Sequence, residues 1–225
     1  MRRDVAATPV ETRPVRSARR AVIATTLLWL WTVWGVALFK PGYSHASQFI
    51  SELNASGTAF AWQAGWLGFV PFGLSILLLA WRATPLLPLR GIGRVGVWLV
   101  AAMEAGAWIG SAFAPCDVGC PIDGSGSTSQ QLHNLLGGGT YLGTTLGVVL
   151  IAISPGLRAG SRLLLAMAVA LWFVLFGAMV DPAVANVRGV LQRAAEVILY
   201  GTLLATAWRS LPRMGAMGAA TQASE

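Results

Sequence analysis

Charge is scarce in this chain. Asp, Glu, Lys and Arg make up 11% of its 225 residues, against roughly 25% in an ordinary soluble domain. His and Cys occur twice each. So little charge cannot cover a water-facing globule, which excludes a soluble domain. An apolar content of 55% excludes a disordered chain, since disordered chains are poor in such residues. Two His leave little room for a His-rich metal centre. There is no Gly-x-Ser-x-Gly elbow, no His-Glu-x-x-His, no P-loop and no dinucleotide fingerprint. No cofactor and no metal is therefore implied.

Long apolar runs are what the chain does have. A bilayer-spanning helix needs about 20 mostly apolar residues. Six stretches qualify: 21–39, 59–81, 92–114, 132–153, 162–180 and 190–208. They are continuous and too long for barrel strands, which run about 10 residues and alternate. The expected fold is all-α: a six-helix polytopic transmembrane bundle over residues 21–211. Residues 1–20 and 212–225 are expected to be disordered tails. The first apolar run, about 19 residues, exceeds the h-region of a signal peptide, so an uncleaved first helix is expected.

The net charge of +7 would suit a nucleic-acid binder. Its distribution argues otherwise. Arg2, Arg3, Arg13, Arg16, Arg19 and Arg20 precede span 1. Arg82, Arg90 and Arg94 lie between spans 2 and 3, Arg158 and Arg162 between spans 4 and 5, and Arg209 and Arg213 after span 6. Thirteen of the sixteen basic residues therefore share one side. The positive-inside rule places that side, and both termini, in the cytoplasm. The expected setting is the plasma membrane, with lipids as partners and no nucleic acid.

Small residues bring membrane helices together. Ala102, Gly106, Gly110 and Ala114 form one stripe, and Gly139, Gly143 and Gly147 another. Spans 3 and 4 are expected to pack through them, which would point Glu104 away from span 4. Such Gly-rich faces could also join two copies or a membrane partner. Pro71 predicts a kink in span 2. Trp62, Trp81 and Trp208, near span ends, suit interfacial anchoring.

The remaining polar residues gather outside or within the membrane. Glu104 is a carboxylate near the middle of span 3, where it must be protonated, paired or beside water. Gln192, Glu196 and Tyr200 make a polar stripe at four-residue spacing that should face the bundle interior. Arg193 could pair with Glu196 or hold a phosphate or carboxylate headgroup. In the first outer loop Phe49, Ile50 and Leu53 share one side of a short helix. An interfacial segment folded over the bundle mouth is expected there. Cys116 and Cys120 suit a disulfide on an oxidising outer face. A metal site with His133, His45 or Asp117, or two free thiols, are the alternatives. His133 could act as a base with Ser51 or water as nucleophile, aided by Glu52.

Three motifs carry a family resemblance. They are Pro41-Gly42-Tyr43-Ser44-His45 leading to Ile50-Ser51-Glu52-Leu53, then Phe113-Ala114-Pro115-Cys116-Asp117 followed by Leu132-His133-Asn134, and Gly189-Val190-Leu191-Gln192-Arg193. Over residues 21–211 the chain resembles the domain of unknown function 998 family of prokaryotic membrane proteins. The resemblance implies a polytopic helical bundle, with Ser51, Glu52, Asp117, His133 and Arg193 as site positions. It implies no reaction. Together these readings favour an outward-facing polar pocket for a lipid headgroup or other amphipathic molecule, lined by Arg193, Asp117, Glu196, Glu104 and His45. An intramembrane hydrolase or transferase, and a structural or assembly partner, are the alternatives.

Overall fold

A computed structural model describes residues 12–212, and all regular structure among them is helical. Residues 1–11 and 213–225, most of the expected tails, lie outside the described residues. The six long helices are α1 (Arg13–Phe39), α2 (Ala61–Ala83), α3 (Ile92–Phe113), α4 (Thr128–Ile153), α5 (Ala159–Met179) and α6 (Arg188–Ser210). Helix α1 starts within the stretch expected to be a tail. Pro14 suits its first turn, where a missing N–H costs nothing. Val15, Ala18, Ala21 and Val22 give the start of the helix a face to bury. The Arg19 guanidinium donates to the Pro212 carbonyl (3.3 Å) and covers the Trp208 ring, so the two ends of the bundle chain meet.

Five of these helices, not six, are long and apolar enough to cross a membrane. Helix α6 has the length, at 23 residues. Its apolar content is diluted by Gln192, Arg193, Glu196 and Tyr200, of which Arg193, Glu196 and Tyr200 are buried inside the protein.

Each helix packs on the next in sequence, and α6 returns to α1, closing a ring. The broadest contact is between α3 and α4. The pairing of spans 3 and 4 is thus as expected, and part of each expected stripe serves it: a Cβ on Gly110 would lie 2.7 Å from Leu136 and one on Gly143 2.5 Å from Met103. Gly106 and Gly139 are exposed, and a Cβ on either would meet nothing. The close approach is at Gly96 and Gly147. A Cβ on Gly96 would lie 2.6 Å from the Gly147 carbonyl oxygen, and one on Gly147 2.7 Å from Val100. Helix α3 therefore turns a broader face to α4 than the expected stripe, and Glu104 points toward α4 rather than away.

Pro71 is accommodated by a widened turn. It lacks an N–H and would clash with the carbonyl four residues back, that of Leu67. Residues Gly65–Phe69 form a π turn, matched by another at Trp31–Gly35 of α1. The released carbonyls find donors across the interface. The Trp31 indole donates to Leu67 (3.0 Å) and the Thr32 hydroxyl to Gly68 (3.1 Å). Trp62, Trp81 and Trp208 point outward, whereas Trp29 and Trp172 are buried.

The seam makes a test. Gly147→Leu should destabilise the protein by about 1–3 kcal/mol through overpacking. Gly106→Ala should leave stability unchanged or slightly raised, since Ala has the better helix propensity. Thermal unfolding of the two purified variants separates these outcomes.

Candidate functional site

The first connection, residues 40–60, folds over one end of the ring. Ile50–Asn54 forms a short 3-10 turn, with Phe49, Ile50 and Leu53 all buried. The apolar side expected to rest on a membrane surface instead packs into the protein. Gly189 lets α6 approach this loop closely, because a Cβ there would strike the carbonyls of His45, Ala46 and Gln48.

Three cations hold the loop down. Arg193 donates to the carbonyls of His45 (3.0 Å), Gln48 (3.2 Å) and Gly189 (3.0 Å) and to the Tyr43 hydroxyl (2.6 Å). Arg188 donates to the carbonyls of Ser47 and Gly119 (both 3.1 Å), pairs with Glu52 (3.1 Å) and covers the Phe49 ring. Lys40 donates to the Leu53 carbonyl (2.9 Å) and the Thr58 hydroxyl (2.6 Å). Burial pushes the Lys40 ammonium below its usual range, partly offset by the charge of Glu52. Burial pushes the Tyr43 hydroxyl up to about 12 despite the neighbouring Arg193. Glu52 also accepts from the Phe49 N–H (2.9 Å) and the Gln48 amide (3.0 Å), so its carboxylate is fully bonded.

The second connection is tied to α4. Asp117 accepts from the backbone N–H (2.7 Å) and hydroxyl (2.8 Å) of Ser127, the residue that caps α4. Those two bonds, the backbone one first, hold the Asp117 carboxyl below the usual range. Gln130 accepts from the Asp117 N–H and donates to Asn134. Cys116 and Cys120 are joined in a disulfide. A ring nitrogen of His133 and both sulfur atoms lie within 4.8 Å of one another. With the sulfurs bonded to each other, the trio offers no thiolate to a metal. The other His133 interaction is fixed: Nδ1 lies 3.0 Å from the Ala114 carbonyl. That oxygen can only accept, so Nδ1 carries the proton and Nε2 keeps its lone pair.

Beneath this lid is a polar cavity of about 100 Å³. Ser51, Glu104, Trp108, His133, Thr140, Tyr141, Trp172, Gln192 and Glu196 are among its walls. Glu104 sits at its base. Its carboxylate accepts from Thr144 (2.7 Å) and from Tyr200 (2.5 Å), whose hydroxyl accepts in turn from the Trp108 indole (2.8 Å). Three buried polar atoms of the cavity walls have no partner: Glu196 Oε2, the Tyr141 hydroxyl and Trp172 Nε1. No Arg or Lys lines the cavity. A wider groove of about 440 Å³ adjoins it, with Phe49, Cys120, Ile122, Phe176, Met179 and Val180 in its walls. Ser51, His133, Gly137, Tyr141 and Gln192 line both spaces. A Cβ on Gly137 would meet no protein atom within 4 Å. On the far side of Glu104 and Tyr200 is an apolar cavity of about 110 Å³.

A family model described as "Protein of unknown function (DUF998)" matches residues 22–209. The chain belongs to the DUF998 family. No curated protein and no solved structure matches it. The match covers all six helices of the ring except the first turns of α1 and the last residue of α6.

In this DUF998 protein the candidate residues separate into two sets. His133, Ser51, Glu196 and Glu104 converge on the cavity. Glu52, Asp117, Arg193 and the His45 carbonyl bind loop to helix and do not line it. Arg193 turns to the loop rather than to Glu196. Sequence reasoning missed Arg188 as the partner of Glu52, and it missed Thr144, Tyr141 and Trp172 as walls or supports of the cavity; helical spacing puts Trp108 and Ser111 on the face of Glu104, and both line the cavity.

The His45 ring is held below its ordinary 6.5 by burial and by the positive charge of Arg193. The folded loop thus favours the neutral form. Its contribution is complete above pH 6.5 and is lost as pH falls below it. The protection factors of residues 43–54, with the intrinsic pH dependence of amide exchange divided out, should fall on going to the acid side of 6.5, while those of α3 and α4 are unaffected. Arg193→Ala should raise exchange in the same residues at every pH.

Proposed function

We propose that this protein is a multi-pass plasma-membrane protein whose ring is completed by α6 as a sixth span. In this reading both termini are cytoplasmic, and the lid of residues 40–60 faces outward. The distribution of thirteen basic residues toward the opposite end supports the orientation. Burial of Arg193, Glu196 and Tyr200 supports α6 as a span, because its polar side is turned from lipid.

Its role, in our reading, is to bind an amphipathic small molecule in the outward-facing cavity and groove. The observation that carries this is the set of unpartnered buried atoms on residues that line the cavity from three helices: Glu196 Oε2, the Tyr141 hydroxyl and Trp172 Nε1. Buried polar groups without partners cost about 1–3 kcal/mol each. A ligand that satisfies all three regains that energy. Its head must donate to a carboxylate and accept from an indole N–H. An amine or a hydroxylated head does both when it carries a hydroxyl or ether oxygen. A lone phosphate or sulfate does not, because every cation at this end of the bundle is bonded to the lid and none lines the cavity. Aromatic walls from Trp108, Tyr141 and Trp172 add affinity for a cationic head. The apolar groove takes the hydrocarbon part.

Binding to protein in lipid nanodiscs tests this. A hydroxylated alkyl amine should raise the melting temperature, and an alkyl sulfate of equal chain length should not. Glu196→Gln should weaken the amine's affinity at least tenfold, or about 1.4 kcal/mol. Equal stabilisation by both compounds, insensitive to Glu196→Gln, contradicts the reading.

A further inference from the structure

The disulfide does more than staple a loop. Its two sulfurs differ in surroundings. Cys120, 3% exposed, lines the open groove, and Cys116, 0% exposed, does not. A ring nitrogen of His133 lies within 4.8 Å of both sulfurs. Ser51 supplies two polar groups at the same place. Its hydroxyl is 3.4 Å from Cys120 Sγ, and its carbonyl oxygen is 3.6 Å from Cys116 Sγ. A bridge that only closes a loop needs none of these. A bridge that opens and closes needs all of them: one approachable sulfur, a hidden one to leave and return, a proton carrier, and partners for both thiols.

We infer that Cys116–Cys120 is a redox-active disulfide that exchanges with a dithiol entering the groove. One substrate thiol passes its proton to His133, and its sulfur attacks Cys120 Sγ. The Cys116–Cys120 bond breaks, and Cys116 leaves as a thiolate that takes the proton back from His133. The new thiol has the Ser51 carbonyl as its acceptor. The second substrate sulfur, losing its own proton, then attacks the first. Cys120 leaves as a thiolate, with the Ser51 hydroxyl as donor, and takes up that proton. The substrate dithiol becomes a disulfide, losing two electrons. The cysteine pair gains them and becomes two thiols. Attack on a disulfide follows thiolate availability and access, and here access favours Cys120. Cys120 lines the groove and not the inner cavity, whereas Ser51 and His133 line both, so an exchanging dithiol and the proposed amphiphile compete for the groove and the exchange is measured without added amphiphile.

The experiment uses the full chain in nanodiscs. Wild-type protein is titrated with dithiothreitol, and free thiols are counted by the mass shift from a maleimide polymer. Both cysteines should be tagged while Trp fluorescence and elution volume stay unchanged. In single variants, Cys116→Ser should trap a small aromatic disulfide reagent on Cys120 at least tenfold faster than Cys120→Ser traps it on Cys116. Adding His133→Gln to Cys116→Ser should slow trapping several-fold. Tagging of the wild type only after denaturation overturns the inference, and this arm stands even if a variant fails to fold. Equal trapping rates in the two single variants overturn it as well.

Discussion

Two guanidinium groups at the start of α6 organise one end of this molecule. Arg193 gathers backbone carbonyls from residues 45 and 48 together with the Tyr43 hydroxyl, and Arg188 holds Glu52 and a carbonyl from each of the two neighbouring loops. A buried guanidinium must satisfy its donors, and a loop folded over apolar side chains must satisfy its carbonyls. Each need answers the other. Because the loop is fixed, Ser51 stands over the cavity and beside the disulfide. Because the cations are committed to the loop, the cavity below keeps two glutamates and no positive neighbour on its walls.

That division of charge decides what the cavity can recognise. An Arg opening a helix at the membrane surface reads naturally as a phosphate ligand, but here both terminal guanidinium nitrogens of Arg193 are bonded to the lid, and only its buried Nε lacks an acceptor. The cavity is instead acidic and aromatic, with an apolar groove alongside. Glu104 is held by Thr144 and by Tyr200, itself fixed by Trp108, so three helices meet at one carboxylate. This joins the polar interior of α6 to the α3–α4 seam. It also separates the polar cavity from the apolar one beyond it.

Much of the architecture could be read from hydropathy alone. Five of the six apolar runs recur as helices able to cross a membrane, and the stripe Gln192–Glu196–Tyr200 needed only helical periodicity to be turned inward. The α3–α4 seam could be read only in part: Gly110, Gly143 and Gly147 of the expected stripes face the partner helix, but Gly96 lies outside them. Gly96 and Gly147 meet, while Gly106 faces outward, and composition does not distinguish them. The narrower expected stripe in turn misdirected Glu104. The roles of Arg188 and Arg193 were hidden for another reason. Their acceptors are mostly backbone carbonyls, which every residue has, so no side-chain pattern announces them. The disulfide spacing was visible, and His133 was among the residues weighed beside it, but the approach of Ser51 from 69 residues away was not legible.

The central claim is that the cavity takes an amphiphile with a hydrogen-bond-donating head. The most direct measurement is native mass spectrometry of the protein drawn from its own membrane without added ligand, beside a Gly137→Phe variant that fills the space shared by cavity and groove. The account predicts a bound mass identified by fragmentation as an amine- or hydroxyl-headed amphiphile, and its loss in the variant. An anionic phospholipid retained equally by both proteins would contradict it.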